Sequence, residues 1–358
     1  MPRPLVALIH PQALQFNLTI ARAARPQAKI WAIVKANAYG HGLEQGLRGF
    51  ADAEGLSLVE WDAAVTLREL GWRKPIMMLE GLFEFSDLAI ADQHRLQIVV
   101  HSDEQLAMLQ SAHLSQPLDV HLKINTGMNR LGFAPDRAHQ IYTSLRAIPS
   151  VGNIAFLTHF ANAENAQSAL PVETQLACFT QAIAGLKGEV SLSNSAATLI
   201  QRQITSDWIR PGVMLYGGSP GGGSAASFGL RPAMTLQSQI TAVQNLQPGD
   251  VVGYGSTFKA DKPMRIGIVA CGYADGYPRH APTGTPILVQ GQQTRIVGRV
   301  SMDMLSVDLS ALPDAGVGAE VILWGKGLPI DEVAAAAGTI GYELMCALTS
   351  RVRRQVQD

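Results

Sequence analysis

The sequence predicts an α/β protein: a (β/α)8 barrel of the TIM type at the N-terminus, followed by a mostly β C-terminal domain. Three observations carry that reading. Before residue 218, eight short apolar, β-branched runs alternate with helix-like segments. Glycine and serine then crowd into "GSPGGGSAASFG", residues 218–229. Beyond that stretch helical periodicity nearly disappears, and strand-like runs follow one another between turn signals such as "QPGD".

The eight runs are "WAIVK" (31–35), "LSLVE" (56–60), "PIMML" (75–79), "LQIVV" (96–100), "LDVHLKI" (118–124), "IAFLTH" (154–159), "EVSLS" (189–193) and "WIRPGVMLYG" (208–217). Helix-like segments such as 62–70 and 103–110 lie between them, the latter with Ser102 placed as an N-cap. Most intervals are about 20 to 35 residues, the length of a βα unit. An open doubly wound sheet shares this alternation, but a count of eight favours closure. Pro211-Gly212 blurs the last strand. Past the linker, "MTLQSQITAVQNL", "MRIGIVACG", "TPILVQGQQTRIVGRV", "MLSVDL" and "AEVILWG" read as strands, with "IDEVAAAAG" (330–338) as the one clear helix. The expected division is an extra strand in 1–10 that joins the β domain, the barrel over 11–225 and the β domain over 226–358.

Composition narrows the class. At 47% hydrophobic and 16% charged, the chain has material for a large core and is unlike a disordered one. A formal net charge of -1, with no basic block, speaks against nucleic acid and anionic membrane surfaces as partners. Cys178, Cys271 and Cys346 are far apart, so neither a disulfide framework nor a zinc site is expected. "MPRPLVALIHPQ" is too short in apolar residues for a signal peptide, and no run of about 18 apolar residues could span a membrane. The expected location is cytoplasmic.

Polar groups gather at the ends of the runs. Lys35 ends the first, Lys123 and Arg130 flank the loop after the fifth, and His159 ends the sixth. Asn194 and Ser195 end the seventh, while Arg210 and Gly212 lie in the eighth. Strand C-termini are where barrel enzymes keep their chemistry. A lysine buried there loses basicity and can form a Schiff base with an aldehyde, and pyridoxal 5′-phosphate is the aldehyde cofactor used in this way. Its phosphate would suit the loops after strands seven and eight, where Ser195 and the Gly212 backbone stand. Lys35 taken alone reads equally well as a snorkelling or ion-paired lysine. "GGGSAASFG" lacks the phosphate-loop pattern and reads as flexible linker.

"AIVKANAYGHG" resembles the cofactor-lysine signature of alanine racemases. The likeness continues in family order through "HLKINTGMNRLGF" (121–133), "THFANAE" (158–164), "SNSAA" (193–197), "RPGVMLYG" (210–217), "VGYGSTF" (252–258), "GYADGYPR" (272–279), "VGRVSMDM" (297–304) and "YELMCALTSRV" (342–352). The resemblance implies a barrel followed by a β domain, with Lys35 holding pyridoxal 5′-phosphate. Tyr39, Ser195, Tyr342 and the Gly212–Val213 backbone would grip the phosphate, next to Asn194. Arg210 would face the pyridine nitrogen with His159 behind it. Arg130 would contact the cofactor's phenolic oxygen and the substrate carboxylate. Lys123 is a lysine that relatives often carry as a carbamate. Tyr254 would be a second catalytic base, Met302 would offer its N–H to the substrate carboxylate, and Tyr273 and Tyr342 would narrow the entrance. Two positions depart from many relatives: Asn125 stands for Asp, and Ser301 for Cys.

What the resemblance implies is interconversion of L- and D-alanine by two bases, Lys35 and Tyr254, on opposite faces of the substrate. Tyr254 would come from the partner chain of a head-to-tail homodimer. The product would serve cell-wall peptidoglycan, or the reaction alanine catabolism. An arginine at the ring nitrogen cannot accept its proton, so the ring would be a weaker electron sink and transamination would be discouraged. Two competing readings are a decarboxylase or other racemase on the same fold, of which Arg210 disfavours the decarboxylase, and a cofactor-carrying protein, for which a second base has no use.

Overall fold

The computed structural model describes residues 3–357; Met1, Pro2 and Asp358, at the ends of the expected domains, lie outside it. Eight parallel strands, Lys29–Ile33, Gly55–Leu58, Ile76–Met78, Gln97–Val100, Leu118–Lys123, Val151–Leu157, Val190–Ser191 and Trp208–Ile209, form a closed barrel. Closure is made where Lys29 and Ile30 pair with Trp208 and Ile209. These strands are nearly continuous apolar runs because helices cover their outer faces. A small core of Trp31, Met77, Val99, Leu157 and Trp208 is separate from the main one, and the Trp31 and Trp208 rings stack at 4.3 Å. Gly55 is required beside them: a Cβ there would lie 2.1 Å from the Trp31 ring.

The helices follow local chemistry. Asp103–Gln110 starts at Ser102, whose side chain accepts from the Gln105 amide, carries Asp103 and Glu104 in its first turn, and buries Leu106 and Leu109. Several barrel strands end earlier than their sequences suggest: the sixth stops at Leu157, before His159, and the seventh at Ser191, before Asn194 and Ser195. The first strand stops at Ile33, so Lys35 lies beyond it. The eighth stops at Ile209, because Pro211 has no N–H for a ladder, and Val213–Tyr216 turns as a 3-10 helix instead. Arg210 and Gly212 are therefore loop residues.

The second layer is an eight-stranded sheet. Val6–Ile9 lies within it, antiparallel to Met234–Leu246 and parallel to Arg353–Val356. The helix at Ile330–Ala336 is present, but so is a second one, Gly341–Cys346, too short to show periodicity in sequence. The 218–229 stretch is a hydrogen-bonded loop and not a flexible tether. Ser219 N–H donates to Asp331 Oδ2 at 2.9 Å, Ser219 Oγ donates to the Gly223 carbonyl, and Ala226–Phe228 forms a 3-10 turn. No helix is long and apolar enough to cross a membrane among the described residues.

Candidate active site

A cavity of about 800 Å³ opens at the C-terminal ends of the barrel strands. Lys35, Tyr39, Lys123, Arg130, His159, Asn194, Ser195, Arg210, Gly212, Val213 and Tyr342 all line it. Eleven of the residues singled out in sequence are thus brought to one place. A second hollow, of about 650 Å³, lies at the opposite mouth, lined by Arg68, Lys74, Asp92 and Asp119, and holds none of them.

Lys35 opens an unusual turn. Ala36, Asn37, Ala38 and Tyr39 have φ of 53°, 53°, 52° and 49°, one turn of left-handed helix. For L-residues this costs roughly 1–2 kcal/mol each, so the turn must be held by its surroundings. Tyr39 closes it, buried and stacked on Tyr216 at 4.6 Å. The Tyr39 hydroxyl lies so close to the chain after the eighth strand that a Cβ at Gly212 would come within 2.5 Å of it.

The buried amine expected at Lys35 is found elsewhere. Lys35 is only half-buried, because its backbone has already left the strand. Lys123, within the fifth strand, is the buried lysine. Burial, then the Arg210 and Arg130 guanidiniums, push it down to about 8. Burial and the cations Arg210, Arg130, Lys123 and Lys35 hold His159 well below the usual imidazole range, so it is neutral.

Arg210 is fully enclosed, and burial pushes it down to about 10, which leaves it charged at neutral pH. Its Nη1 donates to Ser191 Oγ at 2.8 Å, and its Nη2 to the carbonyls of Thr158 at 2.5 Å and Leu192 at 3.3 Å. The Nε–H is not spent in these bonds. Ser195 Oγ accepts the Gly212 N–H at 2.9 Å, and Asn194 caps the following short helix by accepting from Ala197 N–H at 3.0 Å. Burial raises the phenols of Tyr39 and Tyr342, which stay protonated donors. Asn125 uses its Oδ1 to accept the Gly127 and Asn129 amides, a task that an aspartate could equally perform.

Three expected site residues are not in the cavity. Tyr254, Tyr273 and Met302 stand on the β domain, 73%, 37% and 52% exposed. Tyr273 and Met302 are neighbours, since the Ser301 carbonyl accepts from Tyr273 N–H and the Met302 carbonyl from Ala274 N–H. Sequence reasoning also missed cavity residues, namely Glu80, Glu343 and Cys346. Glu80 lies two residues past the third strand, as Lys35 and His159 do past the first and sixth, and that offset was the available signal.

Residues 9–220 match the family model for the alanine racemase N-terminal domain, and residues 233–356 that for the C-terminal domain. The chain belongs to the alanine racemase family. It is 59% identical over 354 residues to the alanine racemase of Janthinobacterium sp. (strain Marseille), covering 99% of each chain. It is 56% identical to that of Ralstonia nicotianae, covering 98% of this chain and 95% of the relative. The crystal structure of the biosynthetic alanine racemase from Pseudomonas aeruginosa superposes with a TM-score of 0.97 at 45% identity, covering 99% of this chain and 100% of that one. The alanine racemase of Acinetobacter baumannii gives 0.93 at 36%, with the same coverage. The chain is an isomerase of the amino-acid racemase class, and alanine is what it interconverts.

Proposed function

We propose that this racemase works with pyridoxal 5′-phosphate and two bases, Lys35 on one face of alanine and the partner subunit's Tyr254 on the other. The donor set suits that cofactor. Ser195 Oγ, the hydroxyls of Tyr39 and Tyr342 and the first amides of the Val213–Tyr216 turn converge where Gly212 leaves room, a cradle for a phosphate dianion. Lys35 supplies the amine for the aldehyde. The bound cofactor would draw electrons from the substrate and so acidify the proton on its α-carbon.

The chain's own groups do the rest. Lys35 Nζ takes or returns that proton on its face, and the phenol of the partner subunit's Tyr254 does so on the opposite face. Arg130 donates to the substrate carboxylate, and the partner subunit's Met302 adds its amide. The partner subunit's Tyr273, with Tyr342, narrows the way in. Arg210 donates to the ring nitrogen, having no proton to accept there. Lys123, uncharged in a useful fraction of molecules near pH 8, takes up carbon dioxide. Its nitrogen bonds to the carbon, a proton leaves, and the resulting carbamate anion orients Arg130.

The head-to-tail homodimer is supported by exposure. Tyr254, Tyr273 and Met302 stand exposed on the β domain, outside the cavity that holds Lys35. The single chain also exposes 15808 Å², against roughly 14,000 Å² for a compact monomer of this mass. We place the enzyme in the cytoplasm, in D-alanine supply for peptidoglycan or in alanine catabolism. No helix that could cross a membrane is present among the described residues, and the product chemistry suits either role.

The convergence of Lys35, Arg210, Ser195 and Gly212 on one cavity carries the reading. Borohydride treatment should fix the cofactor to Lys35, as read by mass spectrometry, and L-alanine should yield the D-enantiomer. An adduct on another lysine removes Lys35 from the role.

A further inference from the structure

The peptide that joins Lys35 to Ala36 is held by a carboxylate. Glu60 Oε1 accepts the Ala36 N–H at 2.7 Å, while its Oε2 accepts the Val59 N–H at 3.3 Å. Ala36 is the first residue of the left-handed turn, and nothing in its own side chain favours that conformation. Backbone bonds within the turn, Ala38 N–H to the Val34 carbonyl and Gly40 N–H to the Ala36 carbonyl, both at 2.9 Å, and two side chains hold the rest. Within the turn, His41 Nδ1 is 2.8 Å from the Tyr39 carbonyl oxygen and 3.1 Å from that of Ala38. At its end, Arg354 Nε, from the last strand of the β sheet, donates to the Gly40 carbonyl at 2.6 Å.

These bonds have different reach. His41 and Arg354 act on carbonyls at the far end, near Tyr39. Glu60 is the side chain that grips the N–H of the peptide next to Lys35. It stands two residues past the second barrel strand, Gly55–Leu58, so it ties the loop of one strand to the loop of its neighbour. A strained conformation persists where its surroundings over-determine it. With the Ala36 N–H released, the start of the turn loses its side-chain restraint, and Lys35 Cα gains room to shift.

We propose that Glu60 is a positioning residue for Lys35, acting as a hydrogen-bond acceptor rather than as a charge. The inference rests on Lys35 being the cofactor amine. Two conservative variants separate reach from charge. Glu60→Gln keeps an oxygen for the Ala36 N–H, gives up the longer 3.3 Å bond from Val59, and loses the charge. Glu60→Asp keeps the charge and falls short by one methylene. Three readings are taken on the purified holoenzymes: the visible absorption band, the rate of borohydride fixation on Lys35, and kcat and KM for alanine.

The expected result is that E60Q matches wild type in all three. E60D should show a shifted band, slower fixation and a kcat lower by about 10- to 100-fold, since a misplacement of about 1 Å costs on the order of 100-fold. KM should change little. E60D behaving as wild type, or E60Q falling as far as E60D, overturns the inference. Should E60D not fold, E60Q decides: wild-type behaviour supports the acceptor role, and loss of the band and of fixation overturns it. A wild-type enzyme with no adduct on Lys35 fails earlier, at the assignment of Lys35, and that trace tells the two failures apart.

Discussion

Arg210 donates to the carbonyl oxygen of Thr158 at 2.5 Å, which fixes the guanidinium beside the strand end that also carries His159. No carboxylate forms a salt bridge with Arg210 among the described residues. The position is built for a cation with fixed donors, and a carboxylate there would reverse the chemistry.

Arg210→Glu should therefore slow racemisation by about tenfold or more, because a lost hydrogen bond to a charged group is worth roughly 1.5–3 kcal/mol and 1.36 kcal/mol is a decade. A glutamic acid can keep the ring nitrogen protonated, so negative charge would spread into the ring. A long-wavelength absorption band and pyruvate formed from alanine should both appear. A variant that keeps its cofactor and fold but shows neither means that Arg210 does not govern the ring nitrogen.

Lys123 should react with carbon dioxide. Its ammonium is pushed from the usual 10.5 to about 8. The free amine, the form that reacts, grows as pH climbs through about 8. At fixed dissolved carbon dioxide, carbon-13 NMR should show a carbamate signal that rises over that range and is absent from Lys123→Met. Linkage gives a second check without carbon dioxide. Between about 8 and 10.5 the unfolded chain holds a proton that the folded one has lost, so stability rises with pH across that window. A flat stability profile, or an unchanged signal in the variant, contradicts the assignment.

The barrel was legible because parallel strands need unbroken apolar runs, and the motifs sat at their ends. The turn after Lys35 was not. Left-handed residues are usually glycine or asparagine, yet this turn is Ala36, Asn37, Ala38 and Tyr39, and part of what holds it comes from residues distant in sequence, Glu60, Tyr216 and Arg354. The burial expected at Lys35 belongs to Lys123, because the strand ends at Ile33 and a shift of two residues changes the environment of every side chain beyond it. The strand Arg353–Val356, with two arginines in four residues, reads as exposed surface, and only its pairing with Val6–Ile9 makes it part of the sheet.

Mixed dimers test the shared site. Lys35→Ala and Tyr254→Phe should each be nearly inactive when alone. Co-expressed, they should assemble heterodimers in which one of the two sites has both bases. Activity should return to a fraction of wild type in a preparation shown by mass spectrometry to contain the heterodimer. No recovery in such a preparation would place both groups in one chain or remove Tyr254 from the chemistry.

The most direct measurement of the two-base account is proton exchange in heavy water with Tyr254→Phe. Each alanine enantiomer is supplied separately, and deuterium at the α-carbon is followed by NMR alongside chiral analysis. With Lys35 intact and the opposite face without a base, one enantiomer should take up deuterium without inverting, while the other stays protonated and neither racemises at an appreciable rate. Racemisation at the wild-type rate, or equal exchange in both enantiomers, would contradict the assignment of Lys35 and Tyr254 to opposite faces.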